Sequence, residues 1–417
     1  MATSSPKMHY GYVIVACCCL IMGIVVGLTM SCAGIFYKPV SEDLHTEVGN
    51  FGLYMSFNFL AASLMLTIAG KLIERHSARR LLTLSSAIAG LTLVAMSLFT
   101  HVAMFWVAGA VLGIALSFLM YISFPTMINR WFRSRVGFYI GLCSAASGIG
   151  GIIFNPIGAY LIHNYGWRTA YLVFGMIILL IVTPLLGIFL RDWPADKNLQ
   201  PCGSDSKDGT KKNPTVTIDS GVTTKQAVKS PVFYALFSFA FLIMGISTLN
   251  LFIPKYVCDL GFTVMEASLT ASAVMGGVTI GKVVLGYIND RSNVWGVIAT
   301  TSGGILGLFL LLAGHMGFAV VLAGGFLFGW EYAGTTVQTP ILVRTVFGGK
   351  NYAEIYSKIS TALAAGGAIS AGAWGIVASN TSFRFTLSLG LTLLFLTAFL
   401  GLYSLRAGKK LRKKEEA

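Results

Sequence analysis

The sequence predicts an all-α membrane protein, with twelve transmembrane helices in two pseudo-symmetric six-helix bundles. Three observations carry that reading. The chain is 55% hydrophobic and only 11% charged, where a soluble globular chain carries about 25% charged residues. Apolar runs recur along nearly the whole length, each near the roughly 20 residues that cross ~30 Å of hydrocarbon. Two sets of landmarks also repeat at nearly one offset, on either side of a single polar stretch. The spans must be helices, because period-two alternation is absent and lipid leaves no backbone group to be satisfied by water.

In chain order the runs lie at 11–36, 50–70, 80–99, 103–128, 137–162, 168–190, 231–256, 266–288, 294–314, 318–342, 352–377 and 382–405. The first is too long for a signal peptide and lacks a convincing cleavage site, so it counts as a span. Residues 191–230 break the pattern, being polar and rich in Gly, Pro, Ser and Lys. They read as a flexible cytoplasmic linker. The chain thus divides into an N-terminal bundle (1–190), the linker (191–230), a C-terminal bundle (231–405) and a basic tail (406–417). Gly70, Glu74 and Arg75 follow span 2 as Gly286, Asp290 and Arg291 follow span 8, and 286 − 70 = 216. Arg130 ends span 4 and Arg344 ends span 10, and 344 − 130 = 214. Parallel six-helix halves with a site between them at mid-membrane describe a rocker-type secondary transporter.

The net charge of +14 is topological. With both termini on one side, that side collects most of the lysines and arginines, while the other keeps Lys38, Lys255, Arg168 and Arg384. The positive-inside rule makes the crowded side cytoplasmic, in the plasma membrane, and the tail a membrane-surface feature beside lipid headgroups. No nucleic-acid role is implied. The seven cysteines show no metal-ligand spacing and read as small buried hydrophobes, with no disulfide framework. No Walker-type loop, HExxH, G-x-S-x-G or Cys/His cluster is present, so neither enzymatic chemistry, a cofactor nor a metal is expected.

The Gly-x3-acid-Arg turns have a physical use: glycine lets two helices approach, and the acid can pair with arginines or a helix N-terminus across the cytoplasmic mouth. They resemble the loop 2–3 and loop 8–9 signature of the major facilitator superfamily. A narrower resemblance lies between spans 4 and 5. Asn129, Arg130, Trp131, Phe132, Arg133, Arg135 and Gly137 lead into Gly141, Gly148 and Gly150, similar to a stretch of the oxalate:formate antiporter family and related monocarboxylate porters. The run 224–234 and residues 36–40 are similar to the same family. In that family a span 8 cation four residues before the loop glycine binds substrate carboxylate. Position 282 matches, but it is a lysine followed by Val283, where arginine, often followed by proline, is usual. A span 11 lysine supplies a second cation in oxalate-transporting members, and Lys358 falls where it would be.

The residues themselves make these lysines conspicuous. A cation at bilayer depth costs roughly 2.5–3.5 kcal/mol on insertion scales, so it persists where it faces a cavity, a partner or an anion. The competing reading is snorkelling, since Lys282 lies only ~12 Å of helix from Asp290. Glu331, ~20 Å by helical rise from Arg344, sits near the midplane. Three readings fit it: a pair with Lys282 or Lys358, a proton-coupling site, or a neutral hydrogen-bonded group. Tyr121, Tyr332 and Asn250 are candidate donors to a carboxylate, against a plain core or interfacial role.

The expected activity is secondary active transport of a small organic anion by alternating access, with proton symport or anion exchange. Monocarboxylates such as lactate, pyruvate or formate are favoured. An oxalate-type dicarboxylate exchanger and an efflux carrier for drugs or organic cations are the alternatives on this fold, and a non-transporting sensor is a third. A monomer is expected to suffice.

Overall fold

The computed structural model describes residues 9–203 and 221–416 and is helical almost throughout. Among the described residues, eleven helices are long and apolar enough to cross a membrane. One of them, Val136–Phe189, has 54 residues and is two spans. At Gly166 the backbone leaves the helix with φ 82° and ψ 161°, a region that costs other residues about 1–3 kcal/mol. Division there yields the twelve spans the hydropathy predicts.

The first half comprises Gly11–Phe36, Asn50–Arg75, Ala78–Met96, Val102–Trp131 and the two spans of 136–189. The second comprises Pro231–Leu251, Leu269–Arg291, Asn293–Leu312, Phe318–Phe347, Tyr352–Ala378 and Phe383–Leu411. Local chemistry starts several of them. Ser77 caps span 3 by accepting the Arg80 N–H, and Thr263 and Glu266 form a reciprocal capping box before span 8. Pro231 occupies the first turn of span 7 behind the Ser230 cap, where its missing N–H costs nothing. Span 7 is shorter than expected. It ends at Leu251, and Pro254 opens a separate short helix, Ile253–Asp259. The last helix instead runs on to Glu416, so the basic tail is a helical extension of span 12.

The halves share one core at one end only. A continuous buried cluster passes from the first half into the second through Ile243, Leu285, Ala333, Val343, Tyr356 and Ala364. Leu285, Val343 and Tyr356 lie toward the face that carries both described ends of the chain, here called the basic face, and Ile243, Ala333 and Ala364 stand near mid-span. The far ends of spans 7 to 12, including Tyr256 and Val257 with Leu308, Phe328 and Trp374, form a second core of their own.

Both ends of the linker are docked. Cys202 exchanges backbone hydrogen bonds with the turn after span 4, donating to the Trp131 carbonyl and accepting from the Arg133 N–H, each at 2.9 Å. Val222 donates to the Phe347 carbonyl after span 10, also at 2.9 Å, and Thr224 Oγ1 donates to Glu354 at 2.7 Å. The expected flexibility therefore does not extend to these ends. Residues 204–220 lie outside the described residues.

Candidate functional site

Lys282 stands where the two halves meet. It is 8% exposed, and its ammonium donates to the Ser144 carbonyl at 3.2 Å and to Ser147 Oγ at 3.1 Å, both on span 5. Glycine makes this approach possible. A Cβ on Gly137 would come 2.5 Å from the Gly286 carbonyl, so spans 5 and 8 pack backbone against backbone. The side chain then runs into the opposite half instead of out to the interface. Its hydrogen-bond partners are neutral, and among the described residues no carboxylate lies within ion-pair distance. A second bond crosses the halves one helix away, where Ser144 Oγ donates to Thr336 Oγ1 on span 10 at 2.7 Å.

A group of phenols gathers between spans 4, 10 and 11. Span 4 loosens into a π-helical turn at Ser117–Ile122, a feature frequent at functional sites. It carries Tyr121, whose buried hydroxyl has no hydrogen-bond partner among the described residues. Its electrostatic neighbours are Tyr356 and Tyr332 of spans 11 and 10, and Asn250 lies near Tyr332. The fold thus gathers Tyr121, Tyr332 and Asn250 from three separate spans. Lys358 is partly exposed, one helical turn or ~6 Å beyond Glu354, and makes no hydrogen bond or ion pair among the described residues.

Glu331 is fully buried and is turned away from both lysines. It contacts Ser247 Oγ of span 7 at 3.2 and 3.4 Å and packs over Gly304 of span 9 beside Leu394 of span 12. The structure does not bring it together with Lys282 or Lys358.

The acids of the two repeated turns cap helices across the basic face. Asp290 accepts the N–H groups of Gly137 and Phe138 at 2.7 and 2.8 Å, at the start of span 5. Glu74 accepts the Glu354 N–H at 3.1 Å, at the start of span 11, and Lys71 pairs with Glu354 at 3.6 Å. Gly70 donates its own N–H to Ser357 Oγ at 3.0 Å. Each carboxylate sits on the positive end of a helix dipole from the other half. Arg75 is exposed, and Arg291 lies over the Tyr287 ring at 4.4 Å.

The chain matches the model of the Major Facilitator Superfamily over residues 19–316 and again over 244–417. The chain belongs to that superfamily. It is 22% identical over 336 residues to the uncharacterized MFS-type transporter YhjX of Escherichia coli, covering 78% of each chain. It is 24% identical over 371 residues to monocarboxylate transporter 12-B of Danio rerio, covering 82% of this chain and 76% of that one. Among solved structures it resembles the proton:xylose symporter XylE, with a TM-score of 0.72, 12% identity and 94% of both chains covered. It also resembles FucP in the outward conformation, with a TM-score of 0.69 and 13% identity over 95% of this chain and 99% of that one. As a major facilitator transporter it is an integral membrane protein that moves a small molecule.

Sequence reasoning missed Ser144, Ser147, Thr336 and Tyr356. Ser144 and Ser147 stood in the glycine run of span 5, read only for close packing. Tyr356 stands two residues before Lys358 in the same apolar run. Ser247, the partner of Glu331, carried no signal beyond being a hydroxyl in an apolar run.

Proposed function

We propose that this transporter carries small organic anions across the plasma membrane by alternating access, with both termini cytoplasmic and monocarboxylates the foremost substrates. The carrying observation is Lys282, a buried cation at the seam of the two halves whose hydrogen-bond partners are all neutral. A buried charge without a counter-charge is costly, and a carboxylate entering between the halves removes that cost by taking the place of Ser147 Oγ. Tyr121, Tyr332 and Asn250 supply neutral donors for its second oxygen. Substrate binding then favours occlusion because it neutralises the charge that the seam would otherwise bury. The caps on Asp290 and Glu74 hold the basic face shut until the halves rock.

Proton coupling falls to Glu331. Ser247 has a single hydroxyl proton and donates it to the Ile243 carbonyl at 2.6 Å. Its contacts with Glu331 come from a neutral group, and a fully buried carboxyl with no cation beside it among the described residues costs least when it carries a proton. A carboxyl that carries a proton in this state and releases it in another is a coupling element.

A dicarboxylate exchanger is the second reading. It is favoured by the separation of Glu331 from both lysines, which leaves two cations uncompensated. Uptake of labelled lactate and oxalate into proteoliposomes distinguishes the two. Lys282→Ala should abolish uptake of whichever acid the wild type carries, with protein still in the membrane. Normal uptake by that variant would end the proposal.

A further inference from the structure

A second cationic cleft, of ≈ 230 Å³, opens on the basic face, away from Lys282. Arg130 and Arg133 of the first half and Arg344 and Lys350 of the second line it, with Glu74 as the one acid among the described residues of its wall. Four positive charges thus face one acid on the wall itself, with Asp192 and Asp196 in electrostatic reach of Arg130 and Asp290 in reach of Arg344. Glu74 is already turned toward the start of span 11. Asp192 accepts the Arg79 N–H and Asp196 the N–H groups of Asp192 and Trp193, so neither makes a hydrogen bond to a cation of the cleft, although both carry negative charge toward Arg130.

The cations are unevenly satisfied. Arg130 donates to the Ile73 carbonyl at 3.1 Å and lies over Trp193 at 4.4 Å. Arg344 is half-buried, and among the described residues its side chain donates no hydrogen bond; its nearest compensating charge, Asp290, acts beyond ion-pair distance. At the cleft wall Thr126 is 2% exposed, and its hydroxyl has no partner among the described residues. Unused guanidinium donors, like charges held together and an unpartnered buried hydroxyl are what a compact anion with several oxygens relieves at once.

We propose that this cleft binds a phosphate-bearing anion and that the bound anion locks the basic face shut. Arg133 and Thr126 belong to one half, Arg344 and Lys350 to the other. Rocking that opens this face pulls them apart and divides the site. An anion that needs both halves therefore binds the closed state better and opposes opening by the difference. The site is distinct from the carboxylate site, and it does not depend on what the transporter carries. The phosphate could be free in solution or on a lipid headgroup.

The test uses full-length protein in phosphatidylcholine nanodiscs at constant ionic strength, titrated with inorganic pyrophosphate. A parallel set of nanodiscs contains phosphatidic acid and no pyrophosphate. The wild type should gain thermal stability as occupancy rises. Lys350→Gln, a change at an exposed loop position, should weaken the apparent affinity at least fivefold. Arg344→Gln should abolish the response. Stabilisation by pyrophosphate alone identifies a soluble ligand, and stabilisation by phosphatidic acid alone identifies a headgroup. The proposal fails if neither stabilises the wild type, or if Lys350→Gln responds to both as the wild type does.

Discussion

Replacement of Asp290 by alanine should loosen the basic face by a calculable amount. The carboxylate accepts two backbone N–H groups at 2.7 and 2.8 Å, both at the first turn of span 5. A hydrogen bond to a charged group contributes about 1.5–3 kcal/mol, and the helix dipole is part of that figure here. Water reaches the opened pair and recovers some of it, so a net loss of about 3 kcal/mol is reasonable for the two bonds together. At about 1.4 kcal/mol per tenfold, the ratio of shut to open falls roughly 150-fold, and a ~100:1 preference for the shut state becomes near parity. Asparagine keeps one acceptor oxygen without the charge and should fall about halfway. Spin labels at the exposed positions His76 and Lys409, in a background without reactive cysteines, report the separation by pulsed electron resonance. Asp290→Ala should show a second, longer distance at comparable weight, and Asp290→Asn a minor one. A single distance, identical in all three proteins, would refute the claim that this cap holds the face closed.

Other perturbations have simpler outcomes. Glu331→Gln should abolish accumulation driven by a pH gradient while sparing exchange, read by uptake with and without an imposed gradient. Ser147→Ala removes the bond to Lys282 that a substrate carboxylate must displace and should lower KM for substrate by about three- to tenfold, the worth of ~1 kcal/mol. Gly166→Ala forces a side chain into a backbone region nearly confined to glycine, at about 1–3 kcal/mol. It should lower thermal stability in detergent while leaving substrate affinity unchanged.

Most of the architecture was legible because hydropathy reports a solvent, and the solvent here is lipid. The length of each apolar run and the need to satisfy every backbone group leave one solution. Gly166 shows the limit at the level of elements: composition marks two spans, and only backbone angles show the turn between them as a single glycine at positive φ. Span 7 shows another, since Pro254 ends its helix earlier than hydropathy alone suggests. The site was legible in its charges and opaque in its pairings. Burial of Lys282 follows from its neighbours in sequence, but its acceptors on span 5 are small hydroxyl-bearing residues brought to it by docking of the halves. Glu331 is the complementary case. Its depth was clear, yet the rotation of span 10 about its own axis, which turns it toward Ser247, depends on packing with spans 7, 9 and 12. The acids of the repeated turns were expected to meet arginines or helix ends, and the geometry puts both Glu74 and Asp290 on helix ends.

The docked ends of the linker have a covalent consequence. Cys202 closes on the first half's own turn at Phe132, and Gly221 closes on the second half's own turn at Gly348; these turns are related by 348 − 132 = 216, the offset of the repeated glycines. Each half therefore carries its own terminal clasp. The joint between them is the stretch from Cys202 to Gly221, 221 − 202 = 19 residue steps, with a reach of up to ~60 Å when extended. A chain cut between the clasps should reassemble from two separately translated polypeptides.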